Sequence, residues 1–365
     1  MQRKKIVWIT PDAFLDTDAG IVPYIKDFNI HWIILFGKKN RFSESDLNKF
    51  RSNNLKITFS YNKSRERYPN TLIYYLKLIR VIKNLKPDII YFNIIPNNPY
   101  IIPLYLWLPK NKTIVTAHDG RVTESMPFSK LIKYSFNLCF RTAKNVNMFS
   151  KFQAEYFNKS FPNKNITIIP LAPKNFGKAT LDKRTDCIGF VYFGTIHSDK
   201  NIDILIEAAN QLVEEGINKF KVSINGEWRV NWNIKDRIRH PEVFELNIGN
   251  VDNKDIPNLF SYNHFAVYPY KNMSQSGAIK CAFNYNTPVI VSDLKGFTDE
   301  VIDGTDGFVF KSEDVADLKK IMKNCIFMKK TEYDLLVDKM KKHIENSYSF
   351  IKIINMYNNM FNKIV

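Results

Sequence analysis

Cysteine is scarce in this chain: four in 365 residues, at positions 139, 187, 281 and 325, too far apart for a metal knuckle or a redox pair. They read as free thiols in a reducing compartment, which excludes a disulfide-stapled secreted scaffold. Long apolar runs are missing too. The opening "MQRKKIVWIT" is charged and then strand-like, too short in its apolar part for a signal peptide core. "YIIPLYLWLP", residues 100–109, is interrupted by Pro103 and Pro109 and falls well short of the ~20 residues a bilayer crossing needs. No repeat and no low-complexity tract is present. The expected location is cytoplasmic, with any membrane contact peripheral and on the inner face.

Acidic residues are short in one half only. Residues 1–173 hold 27 Lys and Arg against 11 Asp and Glu, a net of +16, while residues 174–365 hold 26 against 25, a net of +1. A bias acting on the whole chain would not segregate in this way, so the N-terminal half is expected to meet something anionic: nucleic acid, an acidic glycan or an anionic membrane surface. A merely solvated basic face is the plain alternative. Hydrophobic content of 45% and charged content of 24% are those of a folded soluble protein, and the length predicts two domains.

Short apolar runs alternate with amphipathic helical patterns throughout. Strands are predicted at 5–10, 32–36, 57–60, 89–93, 113–118, 146–150 and 166–170, then at 188–193, 221–225, 264–268, 289–292 and 308–310. Strands separated by helices imply parallel sheets covered on both faces, and the series occurs twice. The fold class is therefore α/β, with two doubly wound domains. The boundary is placed between Leu171 and Asp186, where "LAPKNFGKATLDKRTD" has no apolar period. A last amphipathic helix puts Ile351, Ile354, Tyr357 and Phe361 on one stripe.

Ligands of open α/β sheets bind beyond the carboxyl ends of the strands, so the loops there carry the chemistry. In "YPYKNMSQSGAIKCAFNYNTPVIVSD", residues 268–293, Ser274, Gln275, Ser276 and Gly277 occupy the entrance of a predicted helix. Unpaired N–H groups and the helix dipole favour a phosphate there, and glycine allows close approach; plain N-capping by Ser274 or Ser276 is the alternative. In "FGTIHSDKNIDILIEA" a strand ends at Gly194-Thr195, and Lys200 stands just ahead of a helix that Asn201 is expected to cap and Gly216 to stop. Lys200 is either an anion ligand or simply solvated.

These stretches, with "GNVDNKDIPNLFSYNHFAVYPY" and "KGFTDEVIDGTDGFVFKSEDVADLKKIM", resemble in order and spacing the donor domain of retaining GT-B glycosyltransferases, in particular glycosyltransferase family four, the glycosyl transferases group 1. The resemblance is strong over 188–325. In the first half it rests on "TIVTAHD" at 113–119 and "IIPLAP" at 168–173. It implies a GT-B architecture of two Rossmann-like domains facing across a cleft: an acceptor-binding domain at 1–173, a linker at 174–186, a nucleotide-sugar donor domain at 187–345, and a final helix, 346–365, returning to the first domain.

Carried over by position, Gly194 lies on the family's Gly-Arg turn, with Thr195 in place of the arginine. Lys200 matches the lysine that binds the donor diphosphate, and Gln275-Ser276-Gly277, with Ser274, a loop that holds the diphosphate or the sugar. His118 matches a histidine beside the transferred sugar. The resemblance thus implies His118 and Lys200 as catalytic residues. It gives Gly194, Thr195, Ser274 to Gly277 and Cys281 as donor contacts, with Asp119 following His118; read from the residues themselves, Asp16, Asp18, Asp119 and Arg121 are the expected acceptor contacts, Arg121 alternatively lying in solvent. Asp16 and Asp18 alternatively cap the first helix. Two family glutamates are replaced by Met273 and Cys281, and a thiol is a poor partner for ribose hydroxyls.

The expected function is metal-independent transfer of a hexose-type sugar, with retention, from a nucleotide diphosphate sugar of UDP or GDP type. The acceptor is a saccharide or lipid-linked saccharide of a bacterial surface polysaccharide such as lipopolysaccharide or capsule. No cofactor beyond this co-substrate is expected, nor a nucleic-acid partner; an anionic membrane surface is. Basic residues flank Leu131, Ile132, Phe136 and Phe140 in "KLIKYSFNLCFRTAK", residues 130–144, which marks a membrane-facing helix unless those apolar residues are core. The alternatives are a catalytically inactive GT-B binding protein and a sugar-nucleotide epimerase on the same fold.

Overall fold

The structure, a computed structural model of the chain, describes residues 3–37, 42–62, 68–120, 129–273 and 277–364. It contains two compact units, Met1–Ala172 with Phe350–Val365, and Pro173–Ser349. All of their strands but one coincide with the apolar runs, because a parallel sheet covered on both faces needs apolar side chains at nearly every position.

The first unit's strands are β1 (Lys5–Pro11), β2 (Asn29–Phe36), β3 (Leu55–Tyr61), β4 (Ile89–Phe92), β5 (Thr113–Ala117), β6 (Asn145–Met148) and β7 (Asn165–Ile168). They form one parallel sheet in the order β3-β2-β1-β4-β5-β6-β7. Alternate residues divide between two cores. Val7, Ile9, Ile90 and Phe92 meet Leu78, Ile82, Leu104, Phe136 and Phe140 from the helices Asn70–Leu85, Ile102–Trp107 and Ser129–Thr142. Ile6, Trp8, Trp32 and Tyr91 meet the last helix, Phe350–Asn362, on the other face. There Tyr357 lies 5.4 Å from Trp8 and 5.9 Å from Tyr91, ring centre to ring centre. The stripe that buries this helix runs through Ile353, Ile354, Tyr357, Met360 and Phe361; Ile351, expected on it, is 73% exposed. Removing an aromatic ring from such a core opens a cavity, so Tyr357→Ala is expected to cost about 3–5 kcal/mol in chemical denaturation.

The second unit's strands are β8 (Ile188–Phe193), β9 (Phe220–Gly226), β10 (Phe244–Ile248), β11 (Phe265–Tyr268), β12 (Val289–Ser292) and β13 (Gly307–Phe310), parallel in the order β10-β9-β8-β11-β12-β13. The sequence did not predict β10. It is an edge strand with Leu246, Asn247 and Ile248 exposed, and Glu and Asn weaken the strand signal that its alternation carries.

Residues 174–186, expected as a linker, are attached to the second unit: Lys174 N–H donates to the Lys280 carbonyl, Phe176 N–H to the Tyr285 hydroxyl, and Thr180 and Leu181 N–H to Asn258 Oδ1. One further expectation changes. Asn201 makes no side-chain cap on the helix Ile202–Glu214, because it takes a left-handed conformation with φ 51°. Gly216 does end that helix region, with φ 81° and its N–H on the Val213 carbonyl.

Candidate active-site residues

In the second unit the chain runs from β8 outward to β9 and β10, then returns to lay β11 on the other side of β8. The carboxyl ends of β8 and β11 therefore flank the switch point where open sheets bind ligands. Gly194 leaves β8 with φ 145°, and its N–H donates to the Asn225 carbonyl at 3.0 Å. Gly226, at the end of β9, is pressed against it: a Cβ there would lie 2.0 Å from the Gly194 carbonyl oxygen, and φ is 140°. Neither space nor conformation admits a side chain, so Gly226→Ala is expected to lower the unfolding free energy, measured in urea, by more than about 2 kcal/mol. Sequence reasoning passed over Gly226, although a glycine closing an apolar strand in "SINGEW" is the signal for such close approach.

Thr195 accepts a hydrogen bond from the Tyr192 hydroxyl through its backbone carbonyl, 3.4 Å away. Lys200 closes the short turn Ser198–Lys200 and is partly exposed. Its Nζ is 3.2 Å from Asp199 Oδ2 and 3.9 Å from the ring centre of Tyr270, two residues beyond β11. Tyr270 is held in turn by its carbonyl, which accepts from Ser292 Oγ at 2.6 Å. One aromatic ring thus brings the β8 loop and the β11 loop together under an ammonium group.

The β11 loop leads to the helix Gly277–Asn284. Ser274, Gln275 and Ser276 lie outside the described residues. At the helix start, Lys174 Nζ sits so close to Gly277 that an added Cβ would be 2.8 Å from it. Lys174 is a second cation at this helix entrance, missed because its sequence neighbourhood looked like a tether. Cys281 is 2% exposed and packed in the core, with Sγ 3.5 Å from the Gly277 carbonyl. The expectation that it contacts donor is therefore corrected: in this structure it faces the interior. Met273 is also partly buried against that core.

The adjacent Lys280 is fully buried, with Nζ 3.2 Å from Glu300 and 3.6 Å from the Tyr348 ring centre. Burial pushes its pKa down, and Glu300 opposes that shift. The ion pair has close approach but not hydrogen-bond geometry. Its place is structural: it docks the site-bearing helix from beneath.

In the first unit the polar residues gather at the carboxyl ends of β1, β4 and β5. His118 follows β5, is 8% exposed, and stacks on Phe14 at 3.8 Å with the rings 10° apart. Its Nε2 is 2.7 Å from Asn93 Oδ1, which Thr116 Oγ1 also approaches at 2.7 Å. The Asn93 amide nitrogen is 3.0 Å from Asp18 Oδ2, and that same oxygen accepts from Trp8 Nε1 and Thr10 Oγ1. An ionised carboxylate only accepts, so the Asn93 nitrogen must face Asp18 and its oxygen must face His118. His118 consequently carries its proton on Nε2 in this arrangement.

Burial raises the Asp18 pKa to about 6 against the pull of its three donors. The carboxylate caps no helix: Leu15–Asp18 begins without a side-chain cap, and Asp18 is 1% exposed. Its assignments as a cap or an acceptor contact are both corrected by that burial. Asp16 accepts weakly from Thr17 Oγ1 at 3.4 Å and lies within the first turn of that helix, not at its N-cap, which is Phe14. Asp119 is partly buried beside His118, and Arg121 lies outside the described residues. Gly120, unremarked in the sequence, is required here, since a Cβ would lie 2.3 Å from the Gln153 carbonyl. Asn93 had no sequence signal beyond being the polar residue that ends an apolar strand.

Two doubly wound parallel-sheet domains with these strand-end sites define the GT-B class of architecture. Within that class, residues 174–347 match the model of the family described as Glycosyl transferases group 1. No curated protein is similar enough in sequence to match the chain. Solved structures share the fold across nearly the whole length. Anabaena Alr3699/HepE, solved with UDP and glucose, is 14% identical, covering 98% of this chain and 99% of its own, with a TM-score of 0.72. A glycosyltransferase from Rickettsia africae ESF-5 is 14% identical over 100% and 99%, with a TM-score of 0.75. The lipopolysaccharide outer core galactosyltransferase WaaB is 12% identical over 99% and 100%, with a TM-score of 0.64.

Proposed function

We propose that this chain transfers a hexose-type sugar from a nucleotide diphosphate donor to a saccharide or lipid-linked saccharide acceptor, with retention of configuration, in the synthesis of a bacterial surface polysaccharide. The observation that carries the reading is Lys200, poised over Tyr270 at the β8–β11 switch point of a group 1 glycosyltransferase domain. Breaking the glycosyl phosphate bond concentrates negative charge on the departing diphosphate, and a cation fixed there lowers the barrier most directly. Lys174 and the N–H groups at the start of Gly277–Asn284 add to the same field. With retention, the leaving phosphate itself takes the acceptor's proton, so no separate base and no metal is invoked.

The second unit is assigned the donor, and the basic first unit the acceptor. His118, held as the Nε2–H tautomer by Asn93, is assigned to the transferred sugar, with its ring fixed against Phe14. UDP is the first donor base to test, because UDP is bound by HepE. A surface-polysaccharide acceptor is the first class to test, in view of the galactosyltransferase WaaB. The buried Cys281 supports a second reading, a GT-B protein that binds without catalysis, since it offers ribose no carboxylate. Incubation with UDP-, GDP- and dTDP-sugars, followed by release of free nucleotide and by the anomeric configuration of the product, separates the two. Release from one donor with a retained anomer supports transfer; binding without release supports the second reading.

A further inference from the structure

The excess positive charge of the first unit is not evenly spread. Helices Asn70–Leu85, Ile102–Trp107 and Ser129–Thr142 pack side by side on one sheet face and contain no Asp or Glu. Their inward residues, Leu78, Ile82, Leu104, Phe136 and Phe140, fill the core. Phe136 and Phe140 are therefore not free to meet a membrane, which corrects the expectation placed on 130–144. What these helices turn outward is different: Ile73, Leu76, Leu106, Leu131 and, most prominently, Trp107 at 54% and Tyr134 at 60% exposure.

Basic residues are interleaved with them. Lys77, Arg80, Lys83, Lys130 and Lys133 are all exposed, and Lys83 Nζ lies 3.2 Å from the ring centre of Trp107, joining the first two helices across their outer surface. Among the described residues, no carboxylate forms an ion pair with these five. The second unit uses its surface cations otherwise: Arg239 pairs with Glu207 and Glu214, and Lys319 and Lys323 with Glu215.

We infer that this three-helix face docks on an anionic lipid bilayer, with Trp107, Tyr134 and the aliphatic residues entering the headgroup boundary and the lysines and Arg80 meeting lipid phosphates. Exposed apolar side chains need a non-aqueous partner, and an indole or phenol suits the boundary where one end is apolar and the other wet. Basic residues among them, with no acidic ones, select a negatively charged surface. A second copy of the chain would bring like charges together, and a nucleic acid would leave the aliphatic residues unpaired. Among the described residues no helix is long and apolar enough to cross a membrane, so the contact is one of docking. The inference deepens the acceptor part of the proposed function, since it presents the first unit to a lipid-linked saccharide, but its test does not depend on catalysis.

The test is co-sedimentation of the full chain with phosphatidylcholine vesicles, with and without phosphatidylglycerol, beside Trp107→Ala and the triple variant Lys77→Gln, Arg80→Gln, Lys133→Gln. Binding to the anionic vesicles alone is expected. Each neutralised residue lowers the partition coefficient roughly fivefold, so the triple variant falls about a hundredfold. Neutralising the exposed Lys339 of the second unit is expected to change nothing. Equal binding by the triple variant, or no binding by the native chain, overturns the inference. So does a lipid-free dimer that Trp107→Ala dissolves, or duplex DNA binding lost in the triple variant while vesicles are ignored. All variants lie away from the donor residues and should keep the native nucleotide affinity. Loss of vesicle binding with that affinity intact is thus a statement about this face, and loss of nucleotide binding in the native chain a statement about the proposed activity.

Discussion

Lys200→Ala is expected to lower kcat/KM for the donor by about 10²–10³, the range seen when one fixed charge-stabilising group is removed from a transition state. The loss should fall mainly on kcat, because the diphosphate gains negative charge as its bond to the sugar breaks. Folding should be unaffected. The ammonium group's close neighbours are the exposed Asp199 and one face of Tyr270, an arrangement that contributes little to stability. Lys200→Arg is expected to recover only part of the rate, since the guanidinium is planar and longer and cannot occupy the same place over the Tyr270 ring. Steady-state kinetics on one released nucleotide, with circular dichroism as the folding control, decides this. An unchanged kcat in Lys200→Ala would remove the residue from the mechanism.

The second large effect concerns the buried chain Asp18–Asn93–His118. Asn93→Leu is expected to reduce kcat by at least tenfold while leaving the donor KM close to native, because it removes the Asn93 Oδ1 acceptor at His118 Nε2 rather than any donor contact. Imidazole nitrogen shifts should report an Nε2-protonated ring in the native protein and a mixture in the variant. A merely structural role would alter stability without altering that tautomer. The same chain predicts a pH dependence. Asp18 has a folded-state pKa of about 6 against an ordinary 3.8, so the folded protein holds its proton more tightly than the unfolded chain does. Stability contributed by that proton is complete below about pH 4 and is lost as pH rises through about 6, a difference of about 3 kcal/mol. Asp18→Asn, which does not titrate, should therefore gain on the native protein between pH 4 and 6 and run parallel to it above pH 7. Protonation also frees the Asn93 amide to turn, so kcat should fall on the acid side near pH 6 in the native protein and lose that limb in Asp18→Asn.

How far the fold could be read from the sequence follows from which forces act locally. Ile188–Phe193 and Val289–Ser292 were found at their observed limits, because strands covered on both faces declare themselves as apolar runs. The edge strand β10 did not, since one exposed side lets Glu245 and Asn247 interrupt the run. The last helix was legible, but its stripe was placed one step off at Ile351; only the packing of Ile353 against the sheet determines the true rotation.

The placement of the candidate site was legible where it follows from a local motif, as for Gly194 and Lys200, which lie just beyond β8 as expected. It was illegible where the role is made by a distant contact. Nothing near Lys174 indicates that its ammonium group rests on Gly277, and nothing near Asn93 indicates that its amide is oriented by Asp18 on one side and orients His118 on the other. Asp18 misled for the same reason. Beside another aspartate in a polar stretch it looks like a surface cap, and only the convergence of Trp8, Thr10 and Asn93 on one oxygen makes it interior.

The central claim is that the second unit holds a working nucleotide-sugar site despite Met273 and Cys281. The most direct measurement is a calorimetric titration of the native chain and Lys200→Ala with UDP, GDP, ADP, CMP and dTDP. The account predicts saturable binding of one nucleoside diphosphate to the native chain, weakened at least tenfold in Lys200→Ala. Absence of binding by every nucleotide at millimolar concentration, with the protein folded, would contradict it.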